Sequence, residues 1–167
     1  TFGSAFSLLG IPFILLMVVG IFFIVGIDVG INAASGQFLM EHGGLDAEPA
    51  KQARSLYFFG KMVGTFGGAL LLTRLNPGRF LLGSGIATLL TIQAFIWIPT
   101  PWASLTLMFL TGMAAANVFP LIFSLTVSRF QHRANEISGL MIMAVSGGAF
   151  IPLLIGKIAD ISNIRTG

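Results

Sequence analysis

The stretch FFIVGIDVGINAASGQF, residues 22–38, is apolar enough to cross a membrane, yet it carries Asp28 near its middle. An α-helix turns by about 100° per residue, so Asp28, Asn32 and Ser35 fall within an arc of roughly 40° on one face. A charge at the centre of a bilayer costs at least about 2.5 kcal/mol and therefore faces a partner or a water-filled cavity. The stretch predicts a membrane helix with one polar stripe turned towards the protein interior.

The composition of the whole chain indicates an integral membrane protein. Hydrophobic residues make up 55% and charged residues 9% of the 167 residues, and the mean hydropathy is +0.93. Soluble domains carry about 25% charged residues. The net charge of +3 is small, and most of the charged residues lie between the apolar runs, so the charge bears on membrane topology rather than on nucleic-acid binding.

Five apolar runs reach the length of about 20 residues that a membrane-spanning helix needs. They cover about residues 8–40, 53–72, 80–98, 103–127 and 137–159. The runs are continuous, unlike the alternating segments of about ten residues that form a membrane β-barrel. We therefore predict an all-α integral membrane protein with five transmembrane helices, formed by residues 1–167 as one partial bundle.

The number of spans and the first residue both indicate a piece of a longer protein. Helical transporters are usually built from symmetric repeats, and five spans do not divide into such a pair. The chain also begins with Thr1 rather than with Met. We expect further helices outside the sequence considered.

The short connections predict the orientation in the membrane. Arg74 and Arg79 lie between the second and third spans, and Arg129 and Arg133 lie between the fourth and fifth. On the opposite side the basic residues are offset by acids, or charge is absent, as in PTPW at residues 99–102. Because basic residues of short loops stay in the cytoplasm, we predict that the four arginines are cytoplasmic.

Lys61 in the second span is the natural partner for Asp28. Both residues lie well inside their spans, and a tilted first helix would bring their depths together. Two alternatives remain at this point. Lys61 could extend its methylenes to the outer interface without meeting Asp28, and Asp28 could be a helix–helix tether or be hydrated near the outer surface.

Two further motifs predict irregular helices in the membrane. In GMAAANVFPLIF, residues 112–123, Pro120 frees backbone carbonyls one turn earlier, and Asn117 carries an amide that can donate and accept hydrogen bonds. Asn117 could face a cavity or bind a neighbouring helix. In SGGAFIP, residues 146–152, two glycines and a proline predict close helix contact and a local break.

Nothing in the sequence indicates an enzyme, a cofactor or a metal site. Cysteine is absent, which removes thiolate ligands and cysteine nucleophiles. The two histidines, His42 and His132, fall on opposite sides of the predicted membrane. The glycines lie in the spans, and GIDVG at residues 26–30 follows no strand, so it is not a dinucleotide motif. We predict no catalytic, cofactor-binding or metal-binding residues.

Three segments together resemble the fucose/glucose/galactose permease family of the major facilitator superfamily. They are GIDVGINAASGQF at residues 26–38, NVFPLIFSLTVSRF at residues 117–130, and SGLMIMAVSGGAFIPLLIGKIAD at residues 138–160. The resemblance covers nearly the whole chain and is to the C-terminal half, helices seven to eleven of twelve. It implies a multi-pass transporter of the bacterial inner membrane that moves a monosaccharide, with proton symport by alternating access.

The resemblance also implies roles for particular residues. The substrate-binding residues would be Asp28, Asn32, Asn117 and Lys61. The first three would line the central cavity and bind the sugar, and Lys61 would tune Asp28. The segment LTRLNPGR, residues 72–79, is similar to the cytoplasmic signature that braces the gate in this superfamily. Relatives often carry an arginine where MVGTF has Thr65. The acids credited with proton coupling belong to the N-terminal half, which would be this chain's partner.

Two other functions are compatible with the same residues. A drug or metabolite exporter of the same fold would have a more apolar cavity and would use Asp28 to bind amphipathic cations. A non-transporting membrane receptor or scaffold would need Asp28 and Asn117 for stability or assembly alone.

Overall fold

The computed structural model describes residues 2–41, 43–98 and 100–161, and these residues form helices joined by short connections. The α-helices are α1 (Phe2–Ser7), α2 (Pro12–Glu41), α3 (Ala47–Leu72), α4 (Pro77–Trp97), α5 (Pro101–Ala115), α6 (Val118–Arg129), α7 (Ala134–Ala144) and α8 (Gly147–Ile161), with short 3₁₀ turns at Leu8–Gly10 and Gln131–Arg133.

Five helical segments of the described chain are long and apolar enough to cross a membrane, which confirms the predicted fold class. They are α2, α3, α4, the pair α5–α6 that covers Pro101–Arg129, and the segment Gln131–Ile161 that contains α7 and α8.

Two span boundaries differ from the prediction. The first spanning helix begins at Pro12 rather than near residue 8, because Ile11 precedes a proline and adopts an extended conformation. The second begins at Ala47 rather than near residue 53. Its first turns are the charged segment AEPAKQ, where Pro49 lies in the first turn and so removes no helical hydrogen bond.

The fourth and fifth spans are each interrupted, as the sequence predicted. The fourth changes from α5 to α6 at Ala116 and Asn117, because Pro120 has no N–H to donate to the carbonyl of Ala116. The fifth changes from α7 to α8 at Val145 and Ser146, immediately before the paired glycines.

Glycines let α3 and α5 cross in backbone contact. A Cβ placed on Gly60 would overlap the carbonyl oxygen of Phe109, and one on Gly112 would overlap the carbonyl oxygen of Tyr57. Gly64 is equally close to α5, at the carbonyl of Met113. A side chain at these positions would force the helices apart, so we describe α3 and α5 as one packed unit.

A second close crossing joins α2 to α8. A Cβ on Gly147 would overlap the carbonyl oxygen of Phe22, and one on Gly26 or Gly30 would overlap the side chain of Ile151 or Ile155. The predicted close contact of the SGGAFIP segment is therefore made with the first spanning helix.

Two clusters of buried apolar side chains flank the middle of the bundle. One joins the first part of α2, at Ile14 and Ile21, to α6 and α7. The other joins the end of α2, at Phe38 and Leu39, to α3, α4 and α5. Asp28 lies on α2 between the two clusters, where it is not covered by either.

Candidate functional site

The carboxylate of Asp28 is bound by two side chains of α3. Lys61 Nζ lies 2.9 Å from Oδ1 and 2.8 Å from Oδ2, and the hydroxyl of Tyr57 donates to Oδ1. The pair therefore forms an ion pair with both carboxylate oxygens engaged, and the snorkelling alternative for Lys61 is wrong.

The early start of α3 explains why the two charges meet at one depth. Asp28 lies 13 residues before Glu41, the last residue of α2, and Lys61 lies 14 residues after Ala47, the first residue of α3. At 1.5 Å per residue the two positions are level on antiparallel neighbours. No unusual tilt of α2 is required.

Tyr57 completes the cluster, and sequence analysis missed it. Its side chain is 1% exposed, and Lys61 Nζ lies 5.5 Å from the centre of its ring. The tyrosine thus supplies a hydrogen bond to the acid and an aromatic face to the base. Tyr57 lies four residues before Lys61, so both side chains lie on one face of α3. This spacing could have identified Tyr57 from the sequence.

The Asp28–Lys61 pair is open to a cavity. The side chains are 27% and 28% exposed respectively, so neither is buried and neither is freely hydrated. The cavity has a volume of about 290 Å³. It is bounded by α2, α3 and both interrupted spans, through Ile24, Val25, Asp28, Lys61, Ala115, Ala116, Phe119, Pro120 and Val145.

Asn32 lies one turn beyond Asp28 on α2, but its amide is directed along its own helix. Nδ2 donates to the backbone carbonyl of Asp28 over 2.8 Å, and Oδ1 is buried without a hydrogen-bond partner among the described residues. The carbonyl of Asn32 accepts from the guanidinium of Arg54, with Nε at 3.1 Å. Asn32 therefore joins α2 to α3 through its backbone.

Asn117 is not brought to the Asp28 cavity. It is 8% exposed, and its Nδ2 donates to the carbonyl of Gly64 on α3 over 2.7 Å. The amide occupies the space that the absent side chain of Gly68 leaves. The structure therefore shows the interhelical hydrogen bond, and contact of Asn117 with a ligand stays a prediction.

The remaining polar residues singled out in the sequence and described by the structure do not line the Asp28 cavity. The hydroxyl of Thr65 donates to the carbonyl of Lys61 over 2.8 Å. Ser35 is buried at 3% exposure. His132 belongs to the turn Gln131–Arg133, and His42 lies outside the described residues. Among the residues described, no group of three or more histidine, aspartate or glutamate side chains could hold a metal ion.

Comparison with known proteins gives several transporters as relatives. The chain is 33% identical over 141 residues to a putative glucose/galactose transporter of Helicobacter pylori, covering 84% of the chain and 34% of the relative. It is 28% identical over 154 residues to a glucose/galactose transporter of Brucella abortus, covering 88% and 36%. It is 31% identical over 103 residues to the glucose/mannose transporter GlcP of Bacillus subtilis, covering 61% and 26%. No family model matches the chain.

One solved structure has the same arrangement of helices. The major facilitator transporter FucP, in its outward conformation, superposes with a TM-score of 0.84 over 99% of this chain and 41% of FucP, at 20% identity. The fold is therefore that of part of a major facilitator transporter.

The chain belongs to the fucose/glucose/galactose permease family of that superfamily. It spans about a third of the length of the curated relatives it matches. It is accordingly a segment of a multi-pass membrane protein, in a family of transporters rather than of enzymes.

Proposed function

We propose that the chain forms part of a secondary active transporter for a monosaccharide of the glucose, galactose or fucose type. The observation that carries this proposal is the Asp28–Lys61 ion pair, near the middle of two spanning helices and open to a cavity. Intramembrane charges of this kind mark substrate or ion pathways. The names of the relatives, which specify glucose, galactose and mannose, support the proposed substrate class.

The chemistry of the cluster suits a neutral polyol. Sugar hydroxyls both donate and accept hydrogen bonds. The Asp28 carboxylate is a strong acceptor and the Lys61 ammonium a donor with three hydrogens, and each keeps about a quarter of its surface exposed. Because the two charges neutralise each other, the pair can bind an uncharged ligand without leaving an unpaired ion.

We assign the four proposed binding residues to two tasks. Asp28 and Lys61 face the cavity and bind the sugar. Asn32 and Asn117 hold α2 and α5–α6 against α3, through the Asn32 carbonyl to Arg54 and the Asn117 amide to Gly64. Substitution of Asn117 would remove the hydrogen bond to α3, whereas substitution of Asn32 would keep the backbone carbonyl that accepts from Arg54. Neither substitution would remove a ligand contact.

Alternating access would come from movement of this bundle against the remaining helices of the transporter. Interrupted helices at mid-membrane are typical of transporter binding sites. Here both interruptions supply cavity residues, Ala116 and Val145. Proton symport is the proposed coupling. Lys61 engages both carboxylate oxygens of Asp28, so we assign the coupling acid to the N-terminal half that would complete the transporter.

The experiment is uptake of labelled fucose, glucose, galactose and mannose by the full-length protein in proteoliposomes, with and without an inward proton gradient. We expect saturable, gradient-driven uptake of one of these sugars, and a large rise in KM for Asp28→Asn. Lys51→Gln is the matched control, because Lys51 forms an exposed pair with Glu48 on the same helix, outside the cluster.

Other outcomes would point to other functions. Uptake that Asp28→Asn leaves unchanged would retain the transporter and reject the site. Absence of sugar uptake, with extrusion of an amphipathic cation that depends on Asp28, would indicate an exporter. Absence of both, with lower stability of the variant, would indicate a receptor or scaffold.

A further inference from the structure

A groove between α3, α4 and α5 is separate from the Asp28 cavity, and neither Asp28 nor Lys61 lines it. Asn117, whose amide is bound to the carbonyl of Gly64, is part of its lining. Its volume is about 710 Å³. Its walls are largely apolar, with Val63 and Leu71 on α3, Phe80 and Ala87 on α4, and Met113 on α5. We call it the α3–α4 groove. It extends from the connection between α3 and α4 towards the middle of the bundle.

The glycines of α3 are of two kinds, since some pack against a neighbouring segment and Gly67 does not. Gly64 and Gly68 are packed and also line the groove. Gly60 and Gly64 are in contact with the backbone of α5, as described above. A Cβ on Gly67 of α3 or on Gly83 of α4 would meet nothing within 4 Å, although both glycines line the groove. Helix packing within the described chain therefore does not account for these two glycines. They leave a smooth channel between the helices that a flexible hydrocarbon chain could occupy.

The mouth of the groove is positively charged. Arg74 and Arg79 line it at the α3–α4 connection, both are exposed, and neither forms an ion pair with a described residue. The groove-lining residues include no acid. The mouth also lies at the N-terminus of α4, whose dipole adds positive partial charge. An anionic group is therefore the complementary occupant of the mouth.

We propose that the α3–α4 groove binds an anionic phospholipid, with the phosphate between Arg74 and Arg79 and one acyl chain along the channel at Gly67 and Gly83. The cytoplasmic leaflet is rich in anionic lipids, and basic pockets between transmembrane helices on that side bind their head groups. The positive-inside prediction puts both arginines on that side. An apolar helix in the groove would cover its apolar walls but would leave the guanidiniums of Arg74 and Arg79 without a counter-charge.

The test is native mass spectrometry of the full-length protein, released from nanodiscs of equal phosphatidylglycerol and phosphatidylethanolamine. We expect wild type to retain phosphatidylglycerol selectively. Arg74→Gln/Arg79→Gln should lower its relative affinity by about fivefold for each arginine removed. Gly67→Leu, which fills the channel and keeps both arginines, should also lower retention. Arg129→Gln is the matched control, since Arg129 is exposed in the other basic connection, beside the ring of Phe13, and should retain the lipid.

Each remaining result overturns the proposal. Equal retention of the zwitterionic lipid would mean that the arginines do not select a head group. Retention that survives both Arg74→Gln/Arg79→Gln and Gly67→Leu would place the lipid elsewhere. No retained lipid in wild type would mean that another part of the longer protein covers the groove. Because the readout is lipid mass, it is independent of whether sugar uptake is observed.

Discussion

Asp28 and Asn117 were predicted from the same kind of pattern, a polar residue in a glycine-rich spanning helix, and the structure gives them different surroundings. Asp28 is bound by side chains of α3 and remains about a quarter exposed to a cavity. Asn117 is bound to a backbone carbonyl of α3 and is almost fully buried. Both residues join a helix to α3, but Asp28 lines the cavity in the middle of the bundle and Asn117 does not.

The difference follows from what each group can tolerate. An ion pair in the membrane is stable only when both charges are matched, and partial contact with water lowers the cost of its desolvation. A carboxamide is neutral and can fill the space beside Gly68 without water. We therefore expect a polar residue in a membrane helix to belong to a ligand site more often when it is charged and meets an opposite charge at the same depth.

The largest effect is expected for Lys61→Met, which leaves Asp28 charged and without its counter-ion. Removing one partner of a buried ion pair costs about 3 to 5 kcal/mol, and the partial exposure of this pair favours the lower end of that range. We therefore expect a loss of about 3 kcal/mol in stability, together with loss of sugar uptake. Thermal unfolding of the purified full-length protein measures the first and proteoliposome uptake the second.

The double variant Asp28→Asn/Lys61→Met separates the role of the ion pair in stability from its role in uptake. It should recover most of the stability, because no unpaired charge remains, and it should not recover uptake. If uptake returned with stability, the pair would be a helix tether and the comparison with Asn117 would lose its basis.

The next effect is expected for Tyr57→Phe, which keeps the ring but removes the hydrogen bond to Asp28. Hydrogen bonds to charged groups contribute about 1.5 to 3 kcal/mol, and the lower value suits this partly exposed carboxylate. We expect a loss of roughly 1.5 kcal/mol in stability and a rise in KM for the sugar. An unchanged KM would remove Tyr57 from the site. Phe58, which is exposed on the same helix, offers Phe58→Leu as the control.

A smaller effect is expected for Asn117→Ala. Interhelical hydrogen bonds in membranes contribute about 0.6 kcal/mol on average and up to about 1.7 kcal/mol, so we expect a loss of about 1 kcal/mol in stability. KM should change little, because the amide does not reach the cavity. A rise in KM as large as that of Asp28→Asn would show that Asn117 contacts the sugar and that the two residues share one role.

The smallest effect is expected for Asn32→Ala. Its amide donates to a carbonyl of its own helix, one turn earlier, which adds little stability. The change also removes a buried acceptor that has no described partner. We expect stability within about 0.5 kcal/mol of wild type and unchanged uptake, measured as above. Strong loss of uptake in a stable variant would make Asn32 a ligand contact.

Much of this fold could be predicted because apolar length and backbone chemistry decide it. The five spans follow from hydropathy, and the interruption at Asn117 follows from the missing N–H of Pro120. The Asp28–Lys61 pair follows from the cost of an isolated charge. The start of α3 was predicted six residues late, at residue 53, because its first turns are charged although they are helical.

The rest depended on partners that a sequence does not display. Asn117 donates to a backbone carbonyl. Because every residue has such a carbonyl, no residue type in the sequence identifies the partner. Tyr57 is one aromatic residue among many phenylalanines. Its hydroxyl indicates membership of the site only when Asp28 is known to lie opposite it. Which glycines of α3 contact a neighbouring helix, and which do not, also depends on the positions of α4 and α5.

The neutrality of the Asp28–Lys61 pair has an electrical consequence. Membrane potential does work on net charge, about 2.3 kcal/mol for one elementary charge moved through 100 mV. Opposite charges held 2.8 Å apart move as a dipole, so voltage neither drives nor resists their displacement. Asp28→Asn would leave Lys61 as a single moving cation, and the same conformational step would then respond to voltage.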